Sequence, residues 1–222
     1  MESKAIRIKD TVAEILDALP PGVTLVAAAK GRSIAEVELA IEAGVTHVGQ
    51  NYVQEAKPMF QALGERANWH MIGHLQRNKV PAAVKIFNMI ETIDSVKLAE
   101  TIESRCARLG LTLPVLIEIN SGRELNKTGV LPEKVDELVE AIAGMQHVRL
   151  MGLMTMGPRF GDPEDARPYF QATRETFDRL SSRDYSNVTM RYLSMGMTNS
   201  YQVALEEGAN IIRIGTKIFG AS

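Results

Sequence analysis

Short apolar runs alternate with amphipathic stretches along nearly the whole chain. The runs are TLVAAAK (24–30), THVGQN (46–51), NWHMIG (68–73), NMIETID (88–94), PVLIEIN (114–120), VRLMGLMTM (148–156), TMRYLSM (189–195) and NIIRIG (210–215), and each reads as a strand. Between them lie helical patterns. SIAEVELAIEAG opens with Ser33 and Glu36 in capping-box spacing and stops at Gly44. VQEAKPMFQALG, VKLAETIESRCARLG, PEKVDELVEAIAG, DPEDARPYFQATRETFDRLSS and the short SYQVALEEGA follow the same theme. A further helix, about Ile6 to Leu19, precedes the first strand and ends at Pro20-Pro21-Gly22. Strands alternating with helices predict parallel pairing through crossover helices. Eight of them, spaced by about 20 to 35 residues, predict an α/β fold of one domain over residues 1–222: a closed (β/α)8 TIM barrel with an extra N-terminal helix. GTKIFGAS is too short to supply a helix after the eighth strand. The N-terminal helix is therefore expected to cover the sheet there.

Composition narrows the class. A chain of 222 residues with 45% hydrophobic positions carries a sizeable core. A formal charge of −2 gives no electrostatic reason to expect nucleic acid or an anionic membrane as partner. No apolar run approaches the roughly 18 residues of a membrane span. The lone Cys106 reads as a small core residue on a helix, and a single cysteine without a signal-like start predicts a cytoplasmic location. The expected state is a monomer. The four histidines are scattered; only His70 and His74 are close, in a strand-and-loop segment, so no metal site is expected.

Barrel chemistry sits at the C-terminal ends of the strands, and three features stand out there. Lys30 closes LVAAAK, where period-two alternation would put Val26, Ala28 and Lys30 on one face. An inward, desolvated lysine has a lowered pKa and a free amine for attack on an aldehyde; the alternative is a lysine reaching from a strand end into water. SMGMTNS after the seventh strand and Gly215-Thr216 after the eighth suit a phosphate cradle of backbone amides, or equally an ordinary turn with a helix cap. Arg213 lies between Ile212 and Ile214, which turns it inward. It needs acceptors there, either a carboxylate such as Glu118 or a ligand's ring nitrogen.

On these residues the chain resembles the pyridoxal phosphate homeostasis proteins, relatives of the barrel domain of bacterial alanine racemase. LVAAAKG, GQNYVQEA, WHMIGHLQRNK, IEINSGRELNKTG, GLMTM, LSMGMTNSYQVAL and IIRIGTKIFG carry the likeness from about Val23 to the C-terminus. The resemblance implies that pyridoxal 5'-phosphate (PLP) is the cofactor, held as a Schiff base on Lys30, with Asn51 near its ring. It implies a phosphate cradle of Ser194, Gly196, Gly215 and Thr216, with Met195 contributing backbone, and Arg213 at the pyridine nitrogen. Lys127, in NKTG, matches a family lysine suspected of handling PLP at a secondary site. His70 and Asn78 are expected to be pocket wall or brace. This chain departs from the family in having Gln50 where Gly-Glu-Asn is usual, alanine before Lys30 where serine is common, and Lys217 after Thr216.

The resemblance implies a protein that buffers PLP or supplies it to PLP-dependent apo-enzymes, without efficient catalysis. An arginine at the pyridine nitrogen does not give up a proton, which leaves the ring a weak electron sink. The second-face base of alanine racemase comes from an additional C-terminal domain that this chain is expected to lack. The alternatives are a low-activity PLP-dependent amino-acid racemase, a Schiff-base aldolase of a phosphorylated sugar, and a non-catalytic interaction protein.

Overall fold

A computed structural model describes residues 2–124, 127–158 and 161–221. Strands β1 (Thr24–Ala28), β2 (His47–Gln50), β3 (Asn68–Met71), β4 (Met89–Ile93), β5 (Leu113–Ile119), β6 (Val148–Thr155), β7 (Val188–Ser194) and β8 (Ile211–Ile214) form a closed barrel in chain order. Every neighbouring pair is parallel, and β8 closes on β1 through Val26↔Arg213 and Ala27↔Ile214. The helices are α1 (Glu2–Ala18), α2 (Ile34–Glu42), α3 (Val53–Leu63), α4 (Val80–Ala83), α5 (Val96–Leu109), α6 (Val135–Ala143), α7 (Arg167–Ser181), α8 (Tyr201–Glu206) and α9 (Thr216–Phe219). The Ser33–Glu36 capping box opens α2 as the sequence predicts. No helix is long and apolar enough to cross a membrane among the described residues.

Alternation divides each strand between two cores. Outward residues such as Val48, Trp69, Ile90, Ile117, Leu193, Ile212 and Ile214 pack under the helices in one large cluster. Inward residues fill the barrel: Val26, Ile72 and Ile211 on one side, Met89, Leu116 and Met154 on the other, with Tyr192 against both. Ile8, Val12 and Ile15, spaced to share one helical face, are buried on α1, and each such burial stabilises by about 1.5–3 kcal/mol. That face lies over α2 and α9, and Arg7 Nη2 donates to Phe219 O at 2.9 Å. The N-terminal helix therefore covers the closure between β8 and β1.

One expectation is corrected and one alternative is decided. A helix does follow β8: the single turn α9, closed by Ile218 and Phe219 N–H donating to Gly215 O. One turn has too few positions to show a period. The shared inward face of Val26, Ala28 and Lys30 stops at Ala28. The β1–β2 ladder ends at Ala28↔Gly49, Ala29 N–H donates to Gly49 O at 2.8 Å, and the chain turns at Gly31, φ 68°. Lys30 is exposed, so the protein does not itself desolvate its amine.

Candidate functional site

A chain of polar side chains runs through the inward face of the barrel. His70 on β3 contacts Glu91 on β4, Nδ1 to Oε1 2.6 Å. Ser194 Oγ at the end of β7 donates to the other Glu91 oxygen at 2.6 Å and accepts from Arg213 Nη1 on β8. Arg213 Nη2 donates to Thr155 O at 2.8 Å, and Nη1 stands 3.9 Å from Glu91 Oε2. All four side chains are buried. Burial alone pushes the Glu91 carboxyl up; the His70 hydrogen bond, the His70 and Arg213 charges and the Ser194 hydroxyl outweigh it and hold the pKa below the ordinary carboxylate value. Burial presses the Arg213 pKa down, against Glu91 and Glu118, and a guanidinium so accompanied keeps its proton. His47 on β2 stacks edge-on to His70 at 5.2 Å. Burial, and then the His70 charge, lower its pKa to about 4, with Glu91 opposing.

The carboxylate that answers Arg213 is thus Glu91, on the run NMIETID, rather than Glu118. A glutamate amid apolar strand residues was the signal available in the sequence; its pairing with β8 needs the barrel's register. Glu118, at the end of β5, accepts from Thr128 Oγ1 at 2.8 Å, while its buried Oε2 has no partner among the described residues. Burial first, and then the Asp94 charge, raise its pKa.

The cradle residues divide. Ser194 is fully buried, and its hydroxyl bonds Glu91 and Arg213. Met195 N–H donates to Ile211 O at 3.0 Å, and its side chain lies in the outer core. Gly196, Gly215 and Thr216 keep amides that meet no protein acceptor among the described residues. Both glycines are also required by packing. A Cβ on Gly196, φ 89°, would lie 2.6 Å from the Ala204 Cβ of α8, and one on Gly215 would lie 2.9 Å from Ala28 O. The turn is held by Ser200 and Tyr201 N–H donating to Met197 O, so the turn reading and the cradle reading describe one loop. Lys217 leans on Tyr201, Nζ to the hydroxyl 3.0 Å.

Lys30 makes no hydrogen bond or ion pair among the described residues. Its backbone is fixed from both sides. Glu55 accepts from Gly31 N–H at 3.0 Å, and Gln50 Nε2 donates to Ala29 O at 3.3 Å, with Gln50 Oε1 left buried and unpartnered. An ionised glutamate at this position could not donate to Ala29 O, which gives the departure at Gln50 a local consequence. Asn51 is half-buried beside Gly73, where an added Cβ would come within 2.5 Å of Asn51 O. Lys127 stands apart from these residues. Its loop is tied to β5 by Asn120, which bonds the backbone of Glu124 at both ends, and by the Ile119↔Val130 bridge. Lys127 Nζ pairs with Glu124 at 2.5 Å and lies 5.7 Å from the Tyr169 ring centre. Leu125 and Asn126 of the same motif lie outside the described residues. Asn78 is exposed in the turn before α4.

The arrangement fits a phosphorylated aldehyde. It offers an exposed, unpartnered amine at the end of β1, unpartnered amides after β7 and β8, and a buried arginine between them with part of its five-donor fork unused. Comparison with known proteins gives the class first: the family described as "Alanine racemase, N-terminal domain" matches residues 7–222. A pyridoxal phosphate homeostasis protein of Aquifex aeolicus is 43% identical over 178 residues, covering 80% of this chain and 77% of that one. The chain belongs to this family of pyridoxal phosphate homeostasis proteins. PipY of Synechococcus elongatus, solved with PLP bound, superposes with a TM-score of 0.88 at 31% identity, covering 96% of this chain and all of PipY. An alanine racemase of Clostridium difficile shares the fold, with a TM-score of 0.77 at 15% identity over 97% of this chain and 60% of its own.

Proposed function

We propose that this chain binds PLP at the barrel mouth, covalently through Lys30, and serves intracellular vitamin B6 homeostasis by buffering the cofactor or supplying it to apo-enzymes. The observation that carries the reading is the closure of β8 on β1. It brings the unpartnered Lys30 amine, the unpartnered Gly215 and Thr216 amides and the anchored Arg213 to one corner of the mouth. Lys30 binds the aldehyde carbon. Gly196, Gly215 and Thr216 hold the phosphate, Asn51 borders the ring, and Arg213 donates to the ring nitrogen, its direction fixed by Ser194 and Thr155. PLP supplies an electrophilic carbonyl and an electron sink; Arg213 at the ring nitrogen keeps that sink weak, which favours carriage over catalysis. The exposure of Lys30 favours exchange with solvent and with other proteins. Lys127, with its amine held by Glu124, is assigned a secondary, transfer-side role.

One observation favours a second reading, a slow amino-acid racemase. Glu118 lies near the end of β5, the strand opposite β1 in an eight-membered ring, and its carboxyl, with Oε2 unpartnered among the described residues, retains a proton more readily than usual. Turnover of an amino-acid enantiomer at about 1 per second or more, lost in Glu118→Gln, would favour that reading.

The test is an absorbance titration with PLP. The wild-type chain should develop the visible band of a protein-bound imine. Lys30→Ala should lose the band and bind at least about tenfold more weakly, through phosphate and ring contacts alone. An unchanged band in Lys30→Ala would refute the assignment.

A further inference from the structure

The helical layer carries a second concave site that shares none of these residues. Between the turn Arg77–Lys79 with α4 and the outer face of α5 lies a groove of about 610 Å³. Four cations line it: Arg77 from the turn, and Lys97, Arg105 and Arg108 from α5. Lys97, Thr101, Ser104, Arg105 and Arg108 recur at helical spacing, which puts them in one stripe. Glu100 is the lone carboxylate lining the groove, and across from the stripe the exposed Pro81 caps the buried Val80.

The electrostatics differ from the rest of the surface. Elsewhere the arginines are mostly neutralised: Arg167 by Glu164, Glu206 and Glu207, and both Arg179 and Arg183 by Asp136. In the groove none of the four cations has an ion-pair partner among the described residues. Arg105 is half-buried, and its Nε is buried without an acceptor. A solvated basic face does not account for that nitrogen. A buried donor left unsatisfied is costly, and an acceptor oxygen entering the groove would remove the cost.

We propose that this groove is a binding site for an organic diphosphate, of the chemical class of a nucleoside diphosphate. Four cations against one carboxylate leave a surplus of three positive charges, which matches the charge such a ligand carries near neutral pH. Guanidinium forks are the side chains best shaped to pair with phosphate oxygens, and the Ser104 and Thr101 hydroxyls add donors. The volume falls within the range of about 300–1,000 Å³ of small-molecule sites. The diphosphate lies among Arg105, Arg108 and Arg77, and the organic part against the exposed ring of Pro81.

Calorimetric titration of the full chain with ADP, and separately with inorganic pyrophosphate, tests this at low ionic strength. ADP should bind saturably and more tightly than pyrophosphate. Arg105→Gln combined with Arg108→Gln should weaken ADP by at least about tenfold while leaving the PLP titration unchanged, and Glu100→Gln should tighten it a few-fold. The proposal is overturned if the wild-type chain binds neither probe, if the double variant binds ADP as well as the wild type, or if pyrophosphate matches ADP. It is likewise overturned if polyglutamate binds the groove and ADP does not.

Discussion

A carboxylate in the middle of a barrel has to be answered on every side, and Glu91 is answered by His70, Ser194 and Arg213. The same three contacts fix where Arg213 points, so a residue with no expected contact to PLP sets the geometry of one that has such a contact. His47, at the rim of this network, gives the protein a pH dependence whose sign follows from its depressed pKa. In the unfolded chain a histidine titrates near 6.5, in the fold His47 titrates near 4. Between those values the unfolded chain holds more protons, so stability falls as pH drops from about 6.5 to about 4. Discounted for the solvent that still screens the half-buried ring, the loss is about 1–2 kcal/mol. Below the ordinary carboxylate pKa, Glu91 adds to the loss in the same direction, because its folded pKa is lowered. Denaturant unfolding at pH 7, 5.5 and 4.5 should show the decline, and His47→Asn should flatten the portion above pH 4.5; parallel profiles for the two proteins would remove His47 from the account.

Among the elements, the turn between β7 and α8 concentrates the demands of packing and binding. Gly196 has φ 89°, and a methyl group there would lie 2.6 Å from Ala204 Cβ and 2.8 Å from Tyr201 Cα. Gly196 O also accepts from Arg213 N–H at 3.0 Å. Gly196→Ala is expected to cost about 2–3 kcal/mol of stability and to weaken PLP binding in parallel. Denaturant unfolding and the PLP titration check both, and a change below about 0.5 kcal/mol would mean that the turn relaxes without consequence. The β-strands were legible in the sequence because each is an apolar run bounded by turn-forming residues, and the longer helices because their apolar positions recur over several turns. α4 and α9 were not, since four residues show no period. The exposure of Lys30 is the alternative the sequence left open, and only the barrel decides it. A strand ends where its neighbour's ladder ends, here at Gly49 on β2, and β1 alone carries no mark of it.

At the scale of the whole molecule, function follows from closure. The strands that lead to Lys30 and carry Arg213 stand at opposite ends of the sequence and become adjacent because the eighth pairs with the first. The count of apolar runs was enough to foresee that adjacency. Register was not foreseeable. Which carboxylate meets Arg213, and that the Ser194 hydroxyl turns to it as well, depend on how far each strand is staggered around the ring. The covalent site is the joint on which the remaining assignments turn. Borohydride reduction of the PLP-loaded protein, followed by peptide mapping by mass spectrometry, reads it directly. The account predicts a single stoichiometric pyridoxyl adduct on Lys30; an adduct chiefly on Lys127 or another lysine, or none at all, would contradict it.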